Sequence, residues 1–214
     1  MPKIPANDLR QNVATLAIPN EYLPSVARCM TKLLATEEFD PEFLGQQIET
    51  TYFDSTSQDL RKARLKKNRY CTLRIRCYRP SQAYALSLKT EEGKWRRELD
   101  PELAELYLNN GFNPLQARDL LPGDLMARLV DLTDGGPLVP VVCVRFTRYS
   151  VENDTNRLTL DCGIATDTGK VFPTNVLEAK TTQRPWETLP EIEGLPFRPI
   201  KLSKFLWATT YGVR

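Results

Sequence analysis

The 214-residue chain contains no histidine. That absence removes Ser–His and Cys–His nucleophile pairs, histidine-ligated zinc and imidazole general bases. Chemistry in this chain must run on carboxylates, lysine, arginine, hydroxyls or an oxygen-ligated metal. Long apolar runs are also missing. The longest, around Leu138 to Val144, is far shorter than a membrane-spanning helix needs and contains Pro140. The opening Met-Pro-Lys-Ile-Pro lacks the apolar core of a secretory signal, so a cytoplasmic protein is expected. Cysteine is scarce: Cys29, Cys71, Cys77, Cys143 and Cys162 are odd in number and none forms a C-x-x-C pair. A disulfide framework or thiolate zinc site is therefore not expected, and the thiols read as reduced, buried small hydrophobes. The formal net charge is only +2, so a strongly basic site has to arise by local clustering.

Hydrophobic residues make up 41% of the chain and charged residues 26%, which suits a soluble globular protein with a sizeable core. We read residues 1–214 as one domain, with residues 1–10 as a loose arm. Val13 to Ile18 reads as a strand, and Asn20 as the cap of a helix to about Thr36 with Val26, Met30, Leu33 and Leu34 on one side. Asp100-Pro101 is an N-cap and first-turn pair, Leu103, Leu106 and Tyr107 form a helical stripe, and Gly111 ends it. Asn113-Pro114 and Gly123-Asp124 read as further helix starts, and Pro199 to Thr210 as a last helix.

The remaining segments alternate with the period of a strand. Gln47 to Ser55 is rich in Thr and aromatics. In Cys71 to Arg79, Thr72, Arg74, Arg76 and Tyr78 face away from Cys71, Leu73, Ile75 and Cys77. Tyr84 to Glu91 sets Ser87 and Lys89 opposite Leu86 and Leu88. Val141 to Ser150 sets Arg145 and Thr147 opposite Val142, Val144 and Phe146. Arg157, Thr159 and Asp161 oppose Leu158 and Leu160, and Glu178 and Lys180 share a face. Each strand has one apolar face and one face of mostly positive charge. Alternation alone does not choose between a solvated sheet face and the inside of a closed barrel.

Seven strings stand in a fixed order: Ile48-Glu49-Thr50-Thr51-Tyr52-Phe53-Asp54, Leu73-Arg74-Ile75-Arg76-Cys77-Tyr78, Ser87-Leu88-Lys89-Thr90-Glu91, Val144-Arg145-Phe146-Thr147-Arg148-Tyr149, Arg157-Leu158-Thr159-Leu160-Asp161, Leu177-Glu178-Ala179-Lys180 and Lys201-Leu202-Ser203-Lys204-Phe205. This succession resembles the VTC domain, the polyphosphate polymerase branch of the triphosphate tunnel metalloenzymes, whose other branch is the CYTH domain. The resemblance implies an α+β fold: an eight-stranded antiparallel β-barrel with basic inner walls and helices packed outside. By the same resemblance Arg74, Arg76, Lys89, Arg145, Arg157, Lys180, Lys201 and Lys204 bind substrate. Arg74, Arg76, Arg145 and Glu178 are the catalytic set, and Glu178 holds a divalent metal, Mn²⁺ or Mg²⁺. Lys94, Arg96 or Arg97 supplies one more basic residue. Asp161 is a further acid or a partner for Arg157. The first strand departs from the pattern: Thr15 stands where the family has Lys, and no Glu is present.

The implied partners are ATP or another nucleoside triphosphate and polyphosphate, with phosphoryl transfer to the polyphosphate chain. The alternatives are a tripolyphosphatase of the same fold and a non-catalytic polyphosphate-binding module. The physics is compatible: Arg offers a planar fork for phosphate oxygens, Lys a movable point charge, and phosphoryl transfer asks chiefly for positioning and charge neutralisation. Arg61 to Arg79 holds nine basic residues and no acid. Its first part, Arg61 to Arg69, reads as a solvated loop or hairpin. Because its arginines then alternate with apolar residues, no nucleic-acid partner is expected.

Overall fold

A computed structural model of the chain describes residues 12–35, 45–66, 69–152, 156–181 and 198–212. Among them run β1 (Asn12–Ile18), α1 (Leu23–Ala35), β2 (Gln46–Asp54), α2 (Asp59–Lys66), β3 (Cys71–Arg79), β4 (Ala83–Thr90), β5 (Lys94–Leu99), α3 (Pro101–Asn110), α4 (Gly123–Thr133), β6 (Val139–Glu152), β7 (Asn156–Thr166), β8 (Asn175–Thr181), β9 (Arg198–Pro199) and α5 (Lys204–Gly212). The strands form one sheet in the order β5-β4-β3-β2-β6-β7-β8-β1-β9. The fold is α+β with a large antiparallel sheet. Eight strands were expected; the described residues form nine, in an order that runs from β5 to β9. The expected arm of residues 1–10, the side chains of Leu33 and Leu34, and Thr36 lie outside the described residues.

The chain divides into two compact units. One comprises Met1–Gln46, Phe146–Ile164 and Val171–Leu202, the other Gln47–Arg145, Ala165–Lys170 and Ser203–Arg214. In the first, Leu16 and Ile18 of β1, Leu158 and Leu160 of β7 and Leu177 of β8 bury one sheet face against Val26, Cys29 and Met30 of α1. In the second, Leu73, Ile75, Leu86 and Leu88 of β3 and β4 bury theirs against Ala104 of α3 and Met126 and Leu129 of α4. Each fully buried Leu contributes about 2 kcal/mol, so in both units the apolar side of the alternation is held inward and the charged side is turned the other way.

Local chemistry explains the helices. Asp100 caps α3 by accepting from Glu102 N (2.9 Å) and Leu103 N (3.4 Å), and Pro101 follows at the first turn. Gly111 ends α3 at φ 83°, where a Cβ would stand 2.6 Å from the carbonyl oxygen of Leu138. Beside it, Phe112 and Leu138 exchange two backbone hydrogen bonds.

Three expectations are corrected here. The Arg61-to-Arg69 run is largely helical: Asp54 accepts from the backbone N–H of Ser55, Leu60 and Arg61 at 2.8, 2.9 and 3.0 Å, and Leu60 is fully buried. That carboxylate fixes the first turn, after which Leu, Arg, Lys and Ala propagate it as good helix formers. Asn113-Pro114 opens a turn instead of a helix, with Leu115 N donating to Asn113 Oδ1 at 3.0 Å. The last helix starts only at Lys204, where the Ser203 hydroxyl accepts from Leu206 N. Lys201 therefore precedes the helix and shares no helical face with Lys204.

Candidate functional site

Strand register decides which side chains in the second unit share a face. Thr50, Arg76, Ala85 and Glu98 form one cross-strand row, Tyr52, Arg74, Ser87 and Arg96 the next, and Thr72, Lys89 and Lys94 a third. Five cations, Arg74, Arg76, Lys89, Lys94 and Arg96, therefore stand on the face opposite the Leu73/Ile75/Leu86/Leu88 core. Arg76 is 8% exposed, and its Nε donates to Thr50 Oγ1 at 3.3 Å. The guanidinium groups of Arg76 and Arg96 flank the Tyr78 ring at 5.9 and 5.1 Å, contacts that orient both forks. Arg74 is half-buried, and its Nε is buried with no hydrogen-bond partner. A buried guanidinium N–H left unmatched is costly unless something accepts from it. Tyr52, directly opposite Arg74, stacks on Phe205 at 5.4 Å, which brings the start of α5, with Lys204, to this face.

The first unit has its own charged face. Arg157 is in register with Lys180 and, beyond it, Val13; Thr159 is in register with Glu178 and Thr15. Lys180 Nζ lies 3.0 Å from Glu178 Oε1. Thr159 is buried and its hydroxyl has no hydrogen-bond partner. Asp161 receives two bonds of 2.7 Å from Nε and Nη2 of Arg148. Arg148 is thus a partner of Asp161 that the sequence reading did not name.

Arg145 is not brought together with Arg74 and Arg76. Its Nε is 3.2 Å from Glu49 Oε1, and Glu49 also receives Arg79 at 3.1 Å. Glu49 is in register with Cys77, so this cluster lies on the Ile75/Cys77 side of the strands. Arg145 is the polar residue of its strand but belongs to the opposite face. Of the three candidates after Lys89, Lys94 and Arg96 share its face, whereas Arg97 donates to the carbonyl oxygen of Asp119 at 2.8 Å. Sequence reading missed strand β5, although Lys94, Arg96 and Glu98 alternate with Trp95, Arg97 and Leu99 as a strand should. It also passed over Arg148, whose neighbour Tyr149 packs against the apolar core of the first unit, so that Arg148 faces away from that core.

Each unit thus carries a charged face backed by an apolar core, and comparison with known proteins identifies the fold. The CYTH domain profile matches residues 30–195. The chain belongs to the CYTH family. Among solved structures of this fold, a putative adenylyl cyclase from Hippeastrum, described as having a dominant triphosphatase activity, aligns with a TM-score of 0.59 at 23% identity over 94% of this chain and 96% of that one. A putative adenylate cyclase from Bacillus halodurans aligns at 0.57 and 16% identity, covering 89% and 92%. Another from Vibrio parahaemolyticus aligns at 0.55 and 13% identity, covering 92% and 98%. At these identities the likeness is one of fold. No curated protein sequence matches the chain. The CYTH match places the chain in the superfamily expected from the seven strings, without the narrower polyphosphate polymerase branch. Among the described residues no helix is long and apolar enough to cross a membrane.

CYTH triphosphate tunnel enzymes generally depend on a divalent metal. Among the described residues, the carboxylates of the first unit's charged face are Glu178 and Asp161, and each already meets a cation. Glu178 Oε1 carries the Lys180 ammonium, both oxygens of Asp161 carry Arg148, and Thr15 and Val13 add no charge from β1. Among the described residues no group of three or more His, Cys, Asp or Glu side chains gathers as a metal set would.

Proposed function

We infer that this CYTH chain binds the triphosphate group of inorganic triphosphate or a nucleoside triphosphate and hydrolyses it. One observation carries the reading: five cations of β3, β4 and β5 share a face, and one of them, Arg74, has a buried Nε that lacks an acceptor. Phosphate oxygens supply such acceptors in a row, and each charge-assisted hydrogen bond contributes about 1.5–3 kcal/mol, or roughly ten- to a hundredfold in affinity. Arg157 and Lys180 offer the same chemistry on the first unit.

In the reaction, a water oxygen attacks the terminal phosphorus. The bond from that phosphorus to the bridging oxygen breaks, its electron pair leaves with the diphosphate, and the water protons pass to phosphate and solvent. Such a step needs positioning and charge neutralisation more than a nucleophilic side chain, which suits a chain without histidine. The triphosphatase activity described for the Hippeastrum protein supports water as the acceptor. The polymerase reading differs only in the acceptor: the terminal oxygen of a polyphosphate chain attacks in place of water, and the ordered strings up to Lys204 favour it. Incubating the full chain with inorganic triphosphate and with ATP decides between them. Hydrolysis releases orthophosphate, polymerisation yields long chains on a gel, and tight binding with neither product leaves a binding module.

A further inference from the structure

We propose that Tyr78 is a positioning residue of the triphosphate site: its ring draws Arg96 along the face to stand beside Arg76, so that two guanidinium forks are set for one substrate before it arrives. The proposal rests on the triphosphate reading above and concerns β2 to β5 of the second unit alone. Arg96 belongs by register to the row of Ser87, Arg74 and Tyr52. Tyr78 lies two rows further along β3, in register with Ile48 and Ala83, which at about 3.3 Å per residue is roughly 13 Å of strand. The Arg96 guanidinium nevertheless stands 5.1 Å from the centre of the Tyr78 ring, and that of Arg76 stands 5.9 Å from it. Arg76 Nη1 also donates to the Tyr78 hydroxyl at 3.4 Å. One ring therefore gathers two cations from rows that the backbone keeps apart.

The two arginines differ in what they need from the ring. Arg76 is buried, and Thr50 holds it from β2 as well. Arg96 is exposed, and a long exposed side chain gives up many rotamers when it closes on a ligand. An aromatic face attracts a guanidinium electrostatically, which favours one of those rotamers in advance. The planar fork held in this way keeps its N–H groups for phosphate oxygens, because a ring face takes none of them as a hydrogen-bond acceptor would. The Arg76 bond to the hydroxyl is long for its type, so the ring face, more than the hydroxyl, carries the effect.

Calorimetric titration of inorganic triphosphate, with Mg²⁺ present, into the full-length chain and its variants tests the proposal. Tyr78→Phe keeps the ring and should bind within about threefold of the unaltered chain. Tyr78→Leu should bind about tenfold more weakly. Placed in an Arg96→Gln background, Tyr78→Leu should cost about threefold or less, because the side chain through which it acts is gone. A merely structural role gives the same loss with and without Arg96. A trifluorinated phenylalanine at position 78 keeps the shape of the ring and weakens its negative face. It should lose affinity as Tyr78→Leu does while keeping the urea midpoint of Tyr78→Phe, and it decides the matter even where Tyr78→Leu does not fold. Equal losses from Tyr78→Leu in the two backgrounds would overturn the proposal and leave the triphosphate reading in place. So would a fluorinated ring that supports binding as tight as Tyr78→Phe. Absence of triphosphate binding by the unaltered chain overturns both.

Discussion

Arg148 grips Asp161 with both edges of its fork: Nε and Nη2 each lie 2.7 Å from a different carboxylate oxygen, with the Asp161 side chain 4% exposed and Arg148 19%. The two residues stand on adjacent strands, β6 and β7. A planar, two-bond pair of this kind is the strong form of an ion pair. Removing one partner strands the other charge in a poorly hydrated place. Asp161→Ala should therefore lose about 3–5 kcal/mol of stability, and Arg148→Met/Asp161→Leu should lose less than that single substitution. Urea denaturation of the three proteins checks this. A double variant as unstable as Asp161→Ala would show that the orphaned charge is not the cause.

The face assignment separates arginines that look alike in sequence. Arg74→Gln and Lys89→Gln should each weaken binding of inorganic triphosphate by about tenfold. Arg145→Gln should leave it within about twofold, because its guanidinium is engaged by Glu49 on the other side of the strands and an exposed charge there is largely screened by salt. Calorimetry at one ionic strength measures all three. A loss with Arg145→Gln equal to that with Arg74→Gln would contradict the register.

Asp54 caps α2 from a buried position, and burial raises its pKa above the ordinary 3.8 despite three backbone N–H donors that pull the other way. The folded state holds the proton more tightly than the unfolded chain, so stability falls as pH rises from about 3.8 through the folded-state value and is flat above it. Asp54→Asn keeps one acceptor oxygen and has no such titration. Comparing urea midpoints of the two proteins between about pH 3.5 and pH 6 should show the wild-type chain losing ground as pH rises. Asp54→Ala strands three N–H groups and should cost about 3 kcal/mol at the acid end of that range, and less as pH rises and the wild-type chain loses its share.

Burial pushes the Cys71 thiol up to about 12 and the Cys162 thiol up to about 11. Only about one Cys71 in ten thousand is then thiolate at pH 8, and the thiolate is the reactive form. Native protein treated with iodoacetamide should show almost no modification at Cys71 by mass spectrometry, with rapid modification after urea. Fast labelling of Cys71 in the folded chain would contradict its packing against the β3/β4 core.

Much of the fold is legible residue by residue. β3 runs over Cys71–Arg79 as its alternation predicts, and Asp100, Pro101 and Gly111 mark the ends of α3 as their chemistry demands. α2 was not legible, because its start depends on Asp54, a residue at the end of the preceding strand whose carboxylate turns back onto three backbone donors. β5 escaped because its alternation carries charge on both faces: Arg97 on the Trp95 and Leu99 side obscures the period.

By itself the sequence determined that histidine chemistry is excluded, that charge and apolar residues alternate on each strand, and that a superfamily of phosphate-binding proteins shares the order of those strands. Only the tertiary structure decided which arginines stand together. A two-residue period says that Arg145 and Thr147 face one way and Phe146 and Arg148 the other. It does not say which of those faces matches the face of Arg76 on a strand far away in sequence, because that depends on hydrogen-bond register between strands.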